Sequence, residues 1–319
     1  MPSPRIPRSC ARTSSSRSTT RRSCRSRRCG RAGSTRSSST ADRSVKEAAS
    51  MGSTSGTGFG DLVIGIEDRV ATVRMLPAGD AQYARHRGVV PTYFPKHKEI
   101  GRALQELRQD DDVGVIVLTG TDDTFFVPPS TSPGGGGGHS PEGDWQLSLG
   151  LSQTLQAFIE VEKPIIGRIN GDAVGFGSSL AFACDFVVGV HDALIADHHL
   201  GMGELPYGRS DAGVVPGDGG AVFVPLALPP CLAKEYLLLA RPMTVGELAA
   251  RGVFNRAVAR EQLDDAVQEF ASALLRRPQY ALAWGKRVIN RQAAEAYART
   301  FDAAWGYEMV GFWMNRELA

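Results

Sequence analysis

No aspartate or glutamate occurs in residues 1–41, a stretch that holds eleven arginines and twelve serines. Lacking acids and any apolar periodicity, it has no face to bury and reads as a disordered tail. It also lacks the apolar core of a secretory signal, which argues against export. Its composition is compatible with an organellar transit peptide or with a segment that binds RNA or anionic lipid. The favoured reading is plainer: an extension upstream of a start at Met51, where "MGSTSGTGFG" leads as a polar segment into the first strand. The tail's eleven positive charges exceed the whole-chain net of +2, which leaves about −9 on the rest. That acidic body has no general nucleic-acid signature, so nucleic acid is not an expected partner.

Cysteine is scarce where it would matter. Cys10, Cys24 and Cys29 lie in the tail, and only Cys184 and Cys231 remain in the body. Neither a disulfide framework nor a cysteine-based zinc site is indicated, and no metal is expected. No apolar run reaches the roughly 18 residues of a membrane span. A cytoplasmic enzyme with no membrane partner is the default expectation. The glycine run in "PPSTSPGGGGGHSPEGDW" lacks the Gly-Lys-Ser/Thr that opens a helix in a phosphate loop, so 121–146 reads as a flexible loop able to cover a substrate.

What is present is a regular alternation. "DLVIGIEDRVATVRML" predicts a hairpin turning at Glu67-Asp68-Arg69. "HKEIGRALQELRQ" places Ile100, Leu104 and Leu107 on one helical stripe, and "VGVIVLTG" is a continuously apolar strand buried on both faces. A helix follows over "LSLGLSQTLQAFIEV", with Leu149, Leu155 and Phe158 among its apolar positions, and then the strand "PIIGRI". Strand, helix, strand in this order predicts right-handed crossovers and a parallel sheet. "FVVGV" and "ALIAD" are strand-like, "CLAKEYLLLA" is helical, and Thr244 with Glu247 forms a capping box for "VGELAAR". From Glu261 onward nearly everything is helical. The domain reading is therefore a tail at 1–55, an α/β core at 56–258 and a helical C-terminal region at 259–319.

In "PIIGRINGDAVGFGSSLAFACDFVVG" a buried strand ends at Asn170-Gly171, turns through Gly175-Phe176-Gly177 and enters a short apolar helix. Glycines there let backbone amides point outward at a helix N-terminus, where a developing oxyanion is stabilised. An ordinary strand-to-helix turn is the alternative.

These segments, taken with "VGVIVLTG", "GVVPGDGG" and "AKEYLLLARPMTVGELAARGVFNRAV", resemble the crotonase, or enoyl-CoA hydratase/isomerase, superfamily over roughly residues 60 to 300. The resemblance implies a ββα spiral core, a helical C-terminal trimerisation region, a homotrimer or dimer of trimers, and two backbone N–H groups polarising a substrate carbonyl. One donor maps to Phe176. The other falls on Pro129, which has no N–H to give. The two glutamates of the family's hydratases fall on Ser179 and His199.

Those departures match another member better. The β-diketone hydrolase 6-oxocamphor hydrolase pairs a histidine with the aspartate of a Pro-Gly-Asp-Gly turn, and this chain offers His199 and Pro216-Gly217-Asp218-Gly219. The resemblance thus implies His199 and Asp218 as the catalytic pair, with a neutral imidazole taking a proton from water. Phe176, Gly175, Gly177, Pro129, Gly217 and Trp145 stand as oxyanion or substrate-binding positions. The competing assignments are His198 for the histidine, Asp218 as a mere helix cap, Asp211 as the acid, and Ser179 as a helix residue without a chemical role. Eighteen residues separate His199 from Asp218, so "GELPYGRSDA" reads as an insertion.

Three functions compete. The first is chemistry on an acyl-CoA thioester, with coenzyme A entering only as part of the substrate and no other cofactor. The second is CoA-independent C–C hydrolysis of a β-dicarbonyl. The third is a non-catalytic scaffold or RNA-binding protein. The first ranks slightly ahead, because the superfamily mostly handles CoA thioesters.

Overall fold

A hairpin opens the described structure: β1 (Leu62–Glu67) and β2 (Val70–Met75) pair antiparallel around Asp68 and Arg69, both at positive φ. A two-residue turn with both φ values positive matches the twist of the flanking strands. The computed structural model describes residues 59–76, 95–127, 141–200, 204–205, 208–209 and 213–317, all within one compact unit, Glu47–Ala319. The tail, the glycine run, Pro129 and Asp211 lie outside the described residues.

The chain then repeats one motif. Helix α1 (Pro95–Gln109) buries Ile100, Ala103, Leu104 and Leu107, and leads to β3 (Val115–Thr119) and β4 (Thr124–Phe126). Helix α2 (Pro141–Glu160) buries Leu151, Leu155 and Phe158, and is followed by β5 (Ile165–Ile169) and β6 (Asp172–Val174). Helix α3 (Phe176–Ala183) precedes β7 (Phe186–Val190) and β8 (Leu194–Ala196). Each strand pair divides between two sheets. One sheet has the order β1-β2-β3-β5-β7 and ends on β12 (Arg256–Val258); from β2 onward it is parallel. The other runs β11 (Met243–Thr244), β8, β6, β4, with β4, β6 and β8 parallel. One strand to each sheet and then a helix, repeated, is the expected ββα spiral.

Between β8 and β11 lie the short antiparallel pair Glu204–Leu205 (β9) and Gly208–Arg209 (β10), then α4 (Gly220–Ala227) and α5 (Pro230–Leu238). Helix α6 (Val245–Ala250) starts on the expected capping box: Glu247 N–H donates to Thr244 Oγ1, and Thr244 N–H to Glu247 Oε2. Helices α7 (Leu263–Leu275), α8 (Gln279–Ile289) and α9 (Arg291–Glu317) complete the described chain.

Two expectations need correction. The segment 121–146 is not one loop, since β4 occupies Thr124–Phe126 and α2 already begins at Pro141. Proline suits the first helical position, and Glu142 and Asp144 favour the positive end of the helix dipole. Leu149 faces outward at 44% exposure, and the core-facing position is Leu151.

The ends of the parallel strands are tied together by one buried side chain. Asn170, after β5, accepts from Gly120 N–H and Thr119 Oγ1, and donates through Nδ2 to the carbonyls of Asp122 and Thr124. Four bonds from one amide fix the β3–β4 turn beside the β5–β6 turn, a firm platform for whatever those turns carry.

Candidate active site

Gly175 N–H donates to Ala196 O, so the turn before α3 is bonded to the end of β8. Gly175 sits at φ +59, and a side chain there would strike the His198 ring, so conformation and space both demand glycine. Phe176 follows as the first residue of α3, where a backbone N–H has no acceptor within the helix. Its ring is fully buried, stacked on His97 at 4.1 Å and edge-on to Phe126 at 5.7 Å. A Cβ at Gly177 would lie 2.5 Å from Phe126 O, so β4 abuts the first turn of α3. This contact brings the end of β4, from which the chain continues toward Pro129, next to the proposed donor.

His199 lies just beyond β8 and Asp218 just before α4, and the fold brings them together. His199 Nε2 stands 3.3 Å from Asp218 Oδ2, and both side chains are 7% exposed. The cap of α4 is Gly219, without a side-chain bond, so Asp218 does not serve as a helix cap. Its other oxygen, Oδ1, accepts from Ser179 Oγ at 2.8 Å. Ser179 is therefore part of the site, contrary to its reading as an idle helix residue. Gly219, at φ +120, lets the turn press against α3: a Cβ there would be 3.2 Å from Ser179 Cβ.

Sequence reasoning missed three buried neighbours. Asp197 Oδ1 lies 2.9 Å from His199 Nδ1 and also accepts the His199 backbone N–H at 3.1 Å. Glu308, on α9, places Oε1 3.6 Å from His199 Nε2. Gly217 makes room for it, because a side chain there would collide with Glu308 Oε2. His97 adds a favourable field at Asp218. The resemblance pointed to the histidine of "ADHH" but not to the acid two residues before it, and nothing in the sequence around Glu308 links it to residues ninety positions earlier.

The electrostatics follow from one imidazole among three carboxyl groups. Burial opposes charge on His199, but the carboxylates of Asp218 and Asp197 outweigh it and hold the pKa well above 6.5. The two carboxylates thus favour the imidazolium form of His199, against the expectation of an imidazole near its ordinary pKa. Burial also works against charge on Asp218, and the imidazolium overrides it, lowering this carboxyl to about 2. Glu308 has the opposite balance: burial dominates and pushes it up to about 8. His198, half-buried and 5.1 Å from the His199 ring centroid, is lowered to about 4, chiefly by desolvation and then by its charged neighbour. It is neutral at pH 7 and fits the proton-transfer role less well than His199.

Asp197, His199 and Asp218 offer cation-ligand atoms within 4.8 Å of one another. Both His199 ring nitrogens already face carboxylates, however, so a metal would have to displace that bonding. Trp145 stands on α2 at 59% exposure.

Residues 95–307 match the family model described as enoyl-CoA hydratase/isomerase. The chain belongs to that family. The carnitinyl-CoA dehydratase of Salmonella enteritidis is 31% identical over 191 residues, which cover 60% of this chain and 69% of that protein. Among solved structures, an enoyl-CoA hydratase/isomerase from Mycobacterium paratuberculosis superposes with TM-score 0.66 at 21% identity, covering 79% of this chain and 94% of that one. A β-diketone hydrolase from the cyanobacterium Anabaena, bound to (S)-3-oxocyclohexyl acetic acid, gives TM-score 0.65 at 20% identity, covering 81% and 96%. At such identities these likenesses establish the fold, and the family's members are enzymes of more than one reaction class.

Proposed function

We propose that this protein hydrolyses a carbon–carbon bond between two carbonyls, with His199 and Asp218 moving the protons. The observation that carries the reading is His199 at the position of the family's second glutamate, 3.3 Å from Asp218 across the intervening segment. The place of the other glutamate is taken by Ser179, whose hydroxyl is spent on Asp218 rather than on a water. This reading puts C–C hydrolysis ahead of the acyl-CoA chemistry that the sequence ranked first.

The first carbonyl oxygen accepts from Phe176 N–H, at the end of α3 where the dipole favours negative charge. Neutral His199, with its proton on Nδ1 toward Asp197, takes one proton from water at Nε2, where the water displaces the 3.3 Å contact with Asp218, while hydroxide adds to the carbonyl carbon. The tetrahedral intermediate collapses, the C–C bond breaks, and its electron pair passes to the second carbonyl as an enolate. The imidazolium then returns the proton to the enolate carbon, giving a carboxylic acid and a ketone. Asp197 fixes the ring through Nδ1, and Asp218 sets its charge through Nε2. The reaction consumes water and uses only groups of the chain itself.

A second reading, chemistry on an acyl-CoA thioester, is supported by the Gly175-Phe176-Gly177 turn and by the relative named for a CoA substrate. Purified full-length protein offered cyclic β-diketones and a panel of acyl-CoA esters separates the two. The first reading expects diketone cleavage that His199→Ala abolishes. Turnover of thioesters alone favours the second, and diketone cleavage unchanged in His199→Ala removes the proposed base. Assembly as a homotrimer or dimer of trimers is proposed as well, supported by exposed Leu238, Leu239, Tyr307, Val310 and Met314, and light scattering measures it.

A further inference from the structure

A second cleft of about 380 Å³ lies at the other end of the parallel strands, where the hairpin turn, the C-terminus of α1, the segment before β5 and helix α8 converge. The active-site residues follow the C-terminal ends of β6 and β8, whereas Val113 and Pro164 of this cleft precede the N-terminal ends of β3 and β5. The two sites are therefore separate.

Its charge is opposite to that of the molecule around it. Arg69, Arg108, Lys163 and Arg287 line it against two acids, Asp111 and Glu162, an excess of two positive charges in a body of about −9. Two of the cations are already committed. Arg108 holds Glu162 through paired bonds of 2.7 and 2.6 Å, and Lys163 Nζ caps the end of α1 by donating to Leu107 O and Asp110 O. Of the other two, Arg287 shares Glu162 with Arg108 and Arg69 is unpaired among the described residues. Arg287 stands 3.6 Å from a Glu162 oxygen that Arg108 already occupies, and the exposed Arg69 guanidinium has no carboxylate partner among the described residues. The position of Arg69 is nonetheless fixed, because its carbonyl accepts from both Gly114 N–H and Val115 N–H and pins the turn to the start of β3.

Beside these guanidinium groups α8 presents two exposed rings, Tyr280 and Trp284, edge-to-face at 5.6 Å. An aromatic face next to Arg69, whose backbone is pinned and whose guanidinium has no carboxylate partner among the described residues, and Arg287, which only shares Glu162, suits a ligand with a planar ring at one end and a phosphate at the other. The volume falls within the range of small-molecule sites. We infer that this cleft binds a nucleoside phosphate, with the base on Trp284 and the phosphate between Arg69 and Arg287.

The test is calorimetric titration of the full chain with ADP, AMP, adenosine and inorganic pyrophosphate, with the oligomeric state followed by light scattering. Saturable ADP binding is expected, with adenosine and pyrophosphate each weaker by about tenfold or more. Arg69→Gln and Arg287→Gln should each weaken ADP about tenfold, Trp284→Ala by tenfold or more, and His199→Ala should not weaken it at all. Failure of ADP to bind at millimolar concentration overturns the inference. So does affinity unchanged in both Arg69→Gln and Trp284→Ala, or affinity lost in His199→Ala, which would put the ligand in the active site. Pyrophosphate binding as tightly as ADP would leave an anion site without base recognition. Dissociation of an oligomer by Trp284→Ala would make this face a contact between copies instead.

Discussion

Two buried charge clusters in this molecule invite comparison. Lys286 Nζ meets Asp185 Oδ2 at 2.6 Å and donates also to Lys163 O, while the same aspartate oxygen accepts Ile165 N–H. One cation answers one anion, and neighbouring backbone takes up the remaining bonds. Around His199 the balance is different: three carboxyl groups surround one imidazole, and the buried Asp197 Oδ2 and Glu308 Oε2 have no hydrogen-bond partner among the described residues. A matched pair holds two segments in place. An oversupply of acid around a titratable base keeps protons in reserve.

The first way to break this comparison is chemical. His199→Gln is expected to lower kcat by about 10²- to 10⁴-fold while the protein still melts cooperatively, as general acid–base groups contribute on that scale. Circular dichroism beside the rate assay checks both halves. The matched pair should behave in the opposite way. Lys286→Met strands a largely buried carboxyl, so a loss of about 3 kcal/mol in chemical denaturation is expected, with kcat of the folded protein preserved. A large loss of kcat there would erase the distinction.

The pH dependence sharpens it. Because the folded-state pKa of His199 is raised above 6.5, the base form appears only at higher pH, and kcat/KM should rise through the alkaline range. Asp218→Asn removes one of the two carboxylates responsible, so the rising limb should move to lower pH as the maximal rate falls. A limb that stays in place would detach Asp218 from the charge of His199.

Glu308 gives a stability version of the same test. Its carboxyl goes from 4.5 to about 8 in the fold, so the native state holds the proton more tightly. Its contribution is fully present below pH 4.5 and is lost as pH rises through about 8. Glu308→Gln should therefore gain in melting temperature relative to the parent between those values, and the gap should close in acid. The smallest effect is expected of Ser179→Ala, which takes one hydrogen bond from Asp218: about 0.5–1.5 kcal/mol, or a few-fold in kcat.

The strands, the crossovers and the capping box at Thr244 were legible because each is a local pattern of apolar spacing or side-chain chemistry. The His199–Asp218 contact was legible only through resemblance, since eighteen intervening residues hide it from any spacing rule. Ser179 was misread because a serine inside an apolar helix carries no sign of its partner, which lies on another turn. The start of α2 was lost in a stretch dense in proline and glycine, though Pro141 followed by two acids is itself a helix-start signal. The charge of His199 was out of reach altogether, because it depends on how many carboxyl groups the fold gathers, and Glu308 arrives from a distant helix.

That distance has a consequence for timing. Asp197, His199 and Asp218 leave the ribosome close together, but Glu308 follows ninety residues later, a delay of several seconds at the roughly 5–20 residues per second of synthesis. Helix α9 brings Glu308 against Gly217, so the proton balance of the finished site is set only once that helix has docked.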